Sequence, residues 1–437
     1  MTMPLKIAVI GGGSTYTPEL IDGLLRCAVP IREIALVDPN ATRLNIVGGL
    51  AQRMATGSGM VVSQATERSA ALDGADVVVT QIRVGGMAAR ILDERIPQRF
   101  GLIGQETTGP GGFANALRTI PVILAINREM AVRCPDAWLI NFTNPSGLIS
   151  EALLRHGRGK IVGLCNYPLT LKMHVAEALG VDETQVTLPY FGLNHLSWTR
   201  ILVDGVDRTD EVLALMTSDT KWRELSGFAF NSRLLRRLGL IPSGYLRYYY
   251  EAKKMVREQR TAPQTRGERV QEVESRLLAQ YADPHVQKKP AELQERGGAW
   301  YSTVAVRLIQ DLWSAEGGTQ ILNVTNAGAI PTLPEDSIVE VPARVAHGAL
   351  TSLPTVTMRN AQPFIAGHRI PPDVEILMTQ VKIYERATVA AAISGSHELA
   401  CAALRAHPLL ETKQCVAPAL LEELLSAHKE YLPLFFE

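Results

Sequence analysis

Apolar positions in the first third of the chain come in short unbroken runs, and between the runs they recur at helical spacing. Leu5-Lys-Ile-Ala-Val-Ile10 is β-branched and apolar. Gly11-Gly-Gly-Ser-Thr15 follows it, and residues 18–25 then repeat their apolar side chains with a helical period. Residues 31–38 form a second run that ends in Asp38, and residues 45–56 read as a helix. Residues 75–82, 138–143 and 161–164 are three further apolar strands. Strands alternating with helices predict an α/β unit over residues 1–168, a doubly wound, mostly parallel sheet of the Rossmann type. Beyond Pro168 the alternation weakens. Residues 171–179 read as helix, and residues 186–203 as two strands with Gly192-Leu-Asn-His195 between them. Residues 223–240 read as a helix and residues 297–302 as the opening of another, while residues 324–330 and 337–342 are strands or loops. Residues 379–436, rich in Ala and Leu, read as helical. Residues 169–437 are thus expected to be a second, mixed α/β, helix-rich domain.

A chain of 437 residues exceeds what one hydrophobic core usually organises, which fits two domains. Hydrophobic residues make up 46% and charged residues 20%, the balance of a water-soluble globular protein. The formal net charge of +0 argues against a nucleic-acid or membrane-surface partner, which would select a basic excess. The five cysteines are odd in number and widely spaced, so a disulfide framework is not expected. The start lacks the layout of a secretory leader, and no apolar run reaches the roughly 18 residues of a membrane span. A cytoplasmic protein is the expectation.

The order strand, glycine turn, helix marks a dinucleotide site. Gly11 and Gly13 allow a tight turn and close approach of backbone to a pyrophosphate, and the helix N-terminus offers it N–H groups. Tyr16 stands where a third glycine would complete the usual fingerprint. Asp38, at the end of the second strand, suits a ribose hydroxyl and repels a 2′-phosphate, so NAD is expected over NADP. Its bland role is a turn residue before Pro39.

Ile161-Val-Gly-Leu-Cys-Asn-Tyr-Pro168 carries Cys165 just past a strand, at the edge where open α/β sheets bind ligands. A cysteine there is either a small buried hydrophobe or a thiolate ligand or nucleophile. His195 lies in a turn between two strands, and Cys with His forms a partial shell for a divalent metal with positions left open for substrate. Gly104-Gln-Glu-Thr-Thr-Gly-Pro-Gly-Gly112 surrounds Glu106 with special backbone angles and reads as a site-shaping loop. Arg83 and Arg90 follow the strand of residues 75–82, and Asn141-Phe-Thr-Asn-Pro-Ser146 closes another with two asparagines. Tyr245 follows Pro242 and Gly244, placed to project from a turn. Residues 251–281 are highly charged, mostly a solvated helix face, with Arg266, Arg269 and Arg276 available to an anion.

Taken together these stretches resemble the family-4 glycoside hydrolases, most closely their 6-phospho-β-glucosidase members. The resemblance is carried by Ile10-Gly-Gly-Gly-Ser-Thr-Tyr-Thr-Pro-Glu-Leu20, Gln81-Ile-Arg-Val-Gly-Gly86, Ile103-Gly-Gln-Glu-Thr-Thr-Gly-Pro-Gly-Gly112, Asn141-Phe-Thr-Asn-Pro145, Leu164-Cys-Asn-Tyr-Pro168, Gly192-Leu-Asn-His195 and Tyr245-Leu-Arg-Tyr-Tyr249. Asn323-Val-Thr-Asn-Ala-Gly328 and Val339-Glu-Val-Pro342 extend it through most of the chain. It implies a fold of the lactate/malate dehydrogenase type and a hydrolase outside the two-carboxylate scheme, using NAD and a divalent metal, commonly Mn²⁺. In that chemistry NAD takes hydride from sugar C3, which acidifies the C2 proton. A base removes the proton while the metal steadies the developing charge. The aglycone leaves from C1, water adds, and the same NADH reduces C3 again.

The resemblance implies Cys165 and His195 as metal ligands, Tyr245 as the base and Glu106 as the acid that tunes it. It implies Gly11, Gly13, Ser14, Thr15, Asp38, Gln81 and Arg83 around the cofactor. Arg90, Asn144, Asn166 and Arg266 would hold the phosphorylated sugar, as in a phosphorylated disaccharide or an aryl 6-phospho-β-glucoside. Asn166 stands where α-specific members carry aspartate. A homodimer or homotetramer is expected. Two other readings compete. A 2-hydroxy-acid dehydrogenase needs a His–Asp couple and no metal. A non-catalytic NAD sensor needs no Tyr245.

Overall fold

The computed structural model describes residues 3–218, 222, 226, 230–297 and 300–437. Six parallel strands lie at its centre: β1 (Leu5–Ile10), β2 (Ile31–Val37), β3 (Val61–Ala65), β4 (Val77–Thr80), β5 (Trp138–Asn141) and β6 (Lys160–Gly163). Their order across the sheet is 6-5-4-1-2-3, the doubly wound arrangement with its switch point between β1 and β4. β1, β4 and β5 are buried along their whole length, which is why Val, Ile and Leu dominate them. The helices that cover them are α1 (Thr17–Leu24), α2 (Ala41–Ala55), α3 (Arg68–Leu72), α4 (Gly86–Arg99), α5 (Gly109–Arg133), α6 (Ser146–His156) and α7 (Tyr167–Leu179).

The sheet continues beyond β6. Gly318–Thr325, Ile338–Ala346 and Ala349–Ser352 join it as antiparallel strands and bring it to nine. Contact with β6 is made at Asn323 opposite Gly163. A Cβ on Gly163 would lie 2.8 Å from Asn323 Cβ and 2.0 Å from Ser150 Oγ, so only glycine allows this approach.

Several elements depart from the sequence reading. The edge strand β3 escaped notice because its residues Val61-Val-Ser-Gln-Ala65 have only one buried side chain. Helix α4 escaped because its buried face includes Arg90, Asp93 and Glu94, which break the apolar period. The segment 104–112 is not one loop: from Gly109 it is the first turn of α5, with Pro110 where a missing N–H costs nothing. The charged stretch 251–281 is two helices, Ala252–Thr261 and Arg266–Ala282, the second opened by a Thr265–Glu268 capping box. Of the helix expected over residues 223–240, residues 223–225 and 227–229 lie outside the described residues, and Ser232–Leu238 is helical. Gly298 and Ala299 also lie outside them, and the helix expected there is Tyr301–Trp313. The C-terminal helical region begins earlier, at Pro372, and is split into Pro372–Ser394, His397–Ala406 and Ala417–Ala427. Gly395, in the left-handed region at φ 68°, ends the first of these. Among the described residues no helix is long and apolar enough to cross a membrane.

Candidate active site

The first wall of the site is the glycine turn after β1. Gly11 has φ 92°, and a Cβ there would sit 2.7 Å from Gln81 O. A Cβ on Gly13 would sit 2.8 Å from Asp38 Oδ2, which instead accepts a hydrogen bond from Gly13 N at 3.1 Å. The turn is therefore bare backbone beside a carboxylate at the carboxyl ends of β1 and β2, opening into α1. Gln81, just past β4, braces it: Nε2 donates to Gly11 O at 3.1 Å and to Thr17 Oγ1 at 2.8 Å. Ser14 Oγ accepts from Tyr16 N at 3.2 Å. Thr15 turns the other way, fully buried, and donates to Glu274 Oε1 at 3.3 Å.

The second wall is a cluster of arginines about Glu106. Both Arg83, from the loop after β4, and Arg90, on α4, form ion pairs with its carboxylate. Burial alone would raise the Glu106 carboxyl, but Arg83, Arg90 and Arg296 outweigh it and hold it down at about 2. The fully buried Arg118 on α5 ties down the loop that follows β4, donating to Val84 O at 3.0 Å while pairing with Asp93 at 2.5 Å. Arg266, first residue of its helix, donates to the carbonyls of Glu295 and Arg296 at 3.4 and 3.0 Å. Burial and then the like charges of Arg90 and Arg269 push its pKa below the usual value. An exposed guanidinium held by carbonyls and repelled by a neighbour is suited to an incoming anion.

The third wall holds the thiol, the imidazole and the phenol. β6 delivers Cys165, 8% exposed, at the carboxyl edge of the sheet. His195 arrives on a two-residue turn between the strands Tyr190–Leu193 and Leu196–Thr199, with φ 62°. Such a backbone is uncommon outside glycine. The turn is anchored by the buried Glu340, whose Oε1 accepts from Asn194 Nδ2 at 2.9 Å and whose Oε2 accepts from Tyr190 OH at 3.0 Å. His195 Nε2 faces Cys165 Sγ at 3.5 Å, and Nδ1 lies 3.1 Å from Thr107 Oγ1. The third strand of this small sheet, Ile241–Pro242, runs into the turn Gly244–Leu246 and so lays Tyr245 on His195. The two rings stack with centroids 3.7 Å apart. Burial holds the Cys165 thiol and Tyr245 phenol neutral, and pushes His195 down to about 3.

Cys165, His195, Tyr245, Glu106, Arg90 and Arg266 are thus brought into one region, and the charge of Glu106 is felt at His195, Tyr245 and Arg266. Asn144 precedes α6 across a cis Asn144–Pro145 bond, its carbonyl accepting from Asn115 Nδ2 at 3.3 Å. Asn166 is the N-cap of α7, directly after Cys165. Arg276 is drawn off to Glu295 at 2.6 Å. Among the described residues no group of three or more His, Cys, Asp or Glu side chains could hold a metal, so Cys165 and His195 stand as a pair. Their 3.5 Å separation and mixed S/N donors suit two ligands of one divalent ion with the remaining positions open.

Besides Arg118, Glu340 and Thr107, three more contributors were missed from sequence. Arg43 donates to Gly13 O at 3.1 Å and pairs with Glu274 at 3.2 Å. Arg296 lies 4.0 Å over the Tyr16 ring and pairs with Glu274 at 2.6 Å. Glu274 itself was visible in principle: it shares the buried face of Val270, Val273, Leu277 and Tyr281, where a solvated charge does not belong.

A dehydrogenase-like sheet with a bare glycine turn, a buried Cys–His pair and a tyrosine stacked on the histidine defines an enzyme of the dinucleotide-fold class. Comparison with known proteins narrows this. The family 4 glycosyl hydrolase model matches residues 6–181, and the model of that family's C-terminal domain matches residues 190–410. A probable 6-phospho-beta-glucosidase of Bacillus subtilis is 43% identical over all of this chain and 99% of its own. The 6-phospho-beta-glucosidase of Thermotoga maritima, solved with manganese, NAD+ and glucose-6-phosphate, superposes with a TM-score of 0.88 at 36% identity, covering 98% of this chain and 99% of that one. A lactate dehydrogenase from a deep-sea metagenome library shares the fold, with a TM-score of 0.53 at 13% identity over 90% of this chain and 100% of that one. The chain belongs to glycosyl hydrolase family 4.

Proposed function

We propose that this enzyme hydrolyses 6-phospho-β-glucosides, such as cellobiose 6-phosphate, to glucose 6-phosphate, using NAD and a divalent metal such as Mn²⁺ without net oxidation. The observation that carries the reading is the Cys165–His195 pair, 3.5 Å apart and capped by Tyr245, at the sheet edge that also carries the glycine turn. The family membership and the relatives named above support the same chemistry.

When bound, NAD takes and returns the sugar C3 hydride, and the metal polarises the sugar oxygens it meets. The chain's own residues do the rest. Gly11 and Gly13 admit the pyrophosphate, and Asp38 accepts the ribose hydroxyls, with Ser14, Thr15, Gln81 and Arg83 building the turn's surroundings. Cys165 Sγ and His195 Nε2 hold the ion. Tyr245 takes the C2 proton through its phenol oxygen; in its buried setting it needs the added positive charge of the ion to ionise. Glu106, ionised and locked between Arg83 and Arg90, fixes the field around that phenol. Arg90, Asn144, Asn166 and Arg266 orient the phosphorylated sugar.

The dehydrogenase reading is disfavoured by geometry. His195 Nδ1 meets the hydroxyl of Thr107 and its Nε2 meets a thiol, so among the described residues it has no hydrogen-bonded carboxylate partner of the His–Asp kind. The proposal includes a division at residue 168 into cofactor and substrate domains, a cytoplasmic setting, and assembly as a homodimer or homotetramer. Ile376 and Ile383, 59% and 56% exposed on the helix Pro372–Ser394, offer an apolar face for such assembly. The test of function is a panel of p-nitrophenyl 6-phosphoglycosides assayed with NAD and Mn²⁺, each omitted in turn. Turnover that needs both, with no accumulation of NADH, is expected; NADH rising in step with product overturns the reading.

A further inference from the structure

The segment Gln105-Glu-Thr107 contains a hydrogen-bond relay that ends on His195. Gln105 Oε1 accepts from Thr107 N and Thr108 N, both at 2.6 Å, and lies 2.8 Å from Thr107 Oγ1. Two backbone N–H groups can point only at an oxygen, so the orientation of the Gln105 amide is settled without sight of hydrogens. The Thr107 hydroxyl in turn lies between Gln105 Oε1 and His195 Nδ1, at 2.8 and 3.1 Å.

The hydroxyl has one proton to place. If it donates to His195 Nδ1, two oxygen lone pairs face each other across 2.8 Å between Thr107 and Gln105. If it donates to Gln105, the hydroxyl oxygen accepts from His195 Nδ1–H and both contacts become hydrogen bonds. The second arrangement puts the imidazole proton on Nδ1 and leaves the Nε2 lone pair facing Cys165 Sγ at 3.5 Å. That is the form in which a neutral histidine coordinates a metal through Nε2.

We infer that Gln105 and Thr107 are positioning residues that lock His195 as its Nδ1–H tautomer, preparing Nε2 as a metal ligand before the metal arrives. The inference rests on the metal-binding role proposed for Cys165 and His195. Outer partners of this kind are worth roughly 10- to 100-fold in metal affinity.

The test pairs two measurements on the full-length protein. Imidazole ¹⁵N chemical shifts of the metal-free enzyme read the tautomer, and Mn²⁺ titration followed by electron paramagnetic resonance reads the affinity. The wild type should show protonated Nδ1 and bare Nε2. Thr107→Val, of the same shape without an acceptor, should lose that preference and bind Mn²⁺ roughly 10- to 100-fold more weakly, with NAD binding retained. Thr107→Ser should restore both readings. A wild-type spectrum showing protonated Nε2 overturns the inference, even should the valine variant fail to fold. So does a valine variant whose tautomer or Mn²⁺ affinity is unchanged. Cys165→Ser separates the two levels: if it binds Mn²⁺ like wild type, the metal site is misplaced, whereas the tautomer reading stands or falls on the metal-free spectrum alone.

Discussion

The imidazole of His195 lies flat on the phenol ring of Tyr245, the centroids 3.7 Å apart and the planes inclined by 8°. A proposed metal ligand and a proposed base are thereby fixed to each other by ring contact. Gly244 N donates to Tyr167 OH at 2.6 Å and secures the same turn from α7, two residues past Cys165. Three segments distant in sequence thus set one geometry, and each can be tested through its own atom.

Tyr245→Phe keeps the ring, and so the stack on His195, while deleting only the phenol oxygen. NAD and glucose 6-phosphate should bind as in wild type. Exchange of the sugar C2 proton with deuterated solvent should fall by about 10²- to 10⁴-fold, the usual worth of a positioned general base. Exchange at the wild-type rate would move the base elsewhere, with Tyr248 next in line: its ring centroid is 6.4 Å from that of Tyr245.

Cys165→Ser exchanges a soft ligand for a hydroxyl of similar size. Cys165 is buried and accepts Tyr167 N at 3.4 Å, a contact the serine can keep, so the fold should survive. Mn²⁺ occupancy and turnover should be lost together, and chelation of the wild type should reproduce the loss and be reversed by Mn²⁺. A variant with full occupancy, measured by metal analysis after dialysis, refutes the ligand role.

What was legible in the sequence, and what was not, divides along physical lines. β1, β4 and β5 are buried along their length, β2 and β6 over residues 34–37 and 161–163, and such mostly apolar strands announce themselves. Cys165 and His195 stood out as reactive residue types next to turn signals. The helix α4 did not, since a face made of Arg90, Asp93 and Glu94 is buried by ion pairing with Glu106, Arg118 and one another, not by apolar contact. Arg296 was hidden for the same reason, as a charge paired across 22 positions has no local pattern, whereas its partner Glu274 stands on an apolar helix face where it could have been noticed. That Asn323 meets β6 needed the sheet itself.

Acid should expose the charge cluster. Glu106 titrates at about 2 in the folded protein against 4.5 for the free group. A depressed folded value means that its contribution, about 3 kcal/mol, is complete above the unfolded value and is lost as pH falls through the folded one. Chemical denaturation of wild type and Glu106→Gln should therefore differ by a constant amount above about pH 5, with the gap closing towards pH 2. A gap that does not change with pH would mean that the carboxylate gains nothing from Arg83 and Arg90.

A second buried cluster governs stability away from the chemistry. Lys382 Nζ lies 2.8 Å from Glu151 Oε2 and 2.5 Å from Glu385 Oε2, and also donates to Ile338 O at 2.7 Å. It joins the C-terminal helix to α6 and to the antiparallel strand that extends the sheet. Lys382→Met keeps the bulk but strands two buried carboxylates. A loss of about 3–5 kcal/mol is expected, the usual cost of breaking a buried pair. A melting temperature within a degree or so of wild type would show that Arg155 and Arg386, the other cations near Glu151, suffice.

Substrate choice should follow from Asn166 and Arg266 acting at two ends of the sugar. Asn166 directly follows Cys165, and its amide gives up no proton at neutral pH, so an axial leaving oxygen expecting an acid there finds none. The β-anomer's equatorial oxygen departs towards another side of the ring, where water can serve. At the other end, Arg266 is exposed, donates to two backbone carbonyls and is pushed by Arg90, which leaves its charge for a phosphate. Removing it with Arg266→Ala should cost about 1.5–3 kcal/mol, the worth of a hydrogen bond to a charged group, or roughly 10- to 150-fold in KM. The unphosphorylated p-nitrophenyl β-glucoside, poor already, should not get worse in that variant, because it never used the guanidinium. Wild-type rates on p-nitrophenyl 6-phospho-β-glucoside should exceed those on the α-anomer at equal concentration. Preference for the α-anomer would remove Asn166 from the account of specificity. An equal loss on phosphorylated and unphosphorylated substrates in Arg266→Ala would make Arg266 a structural residue and send the phosphate to Arg90.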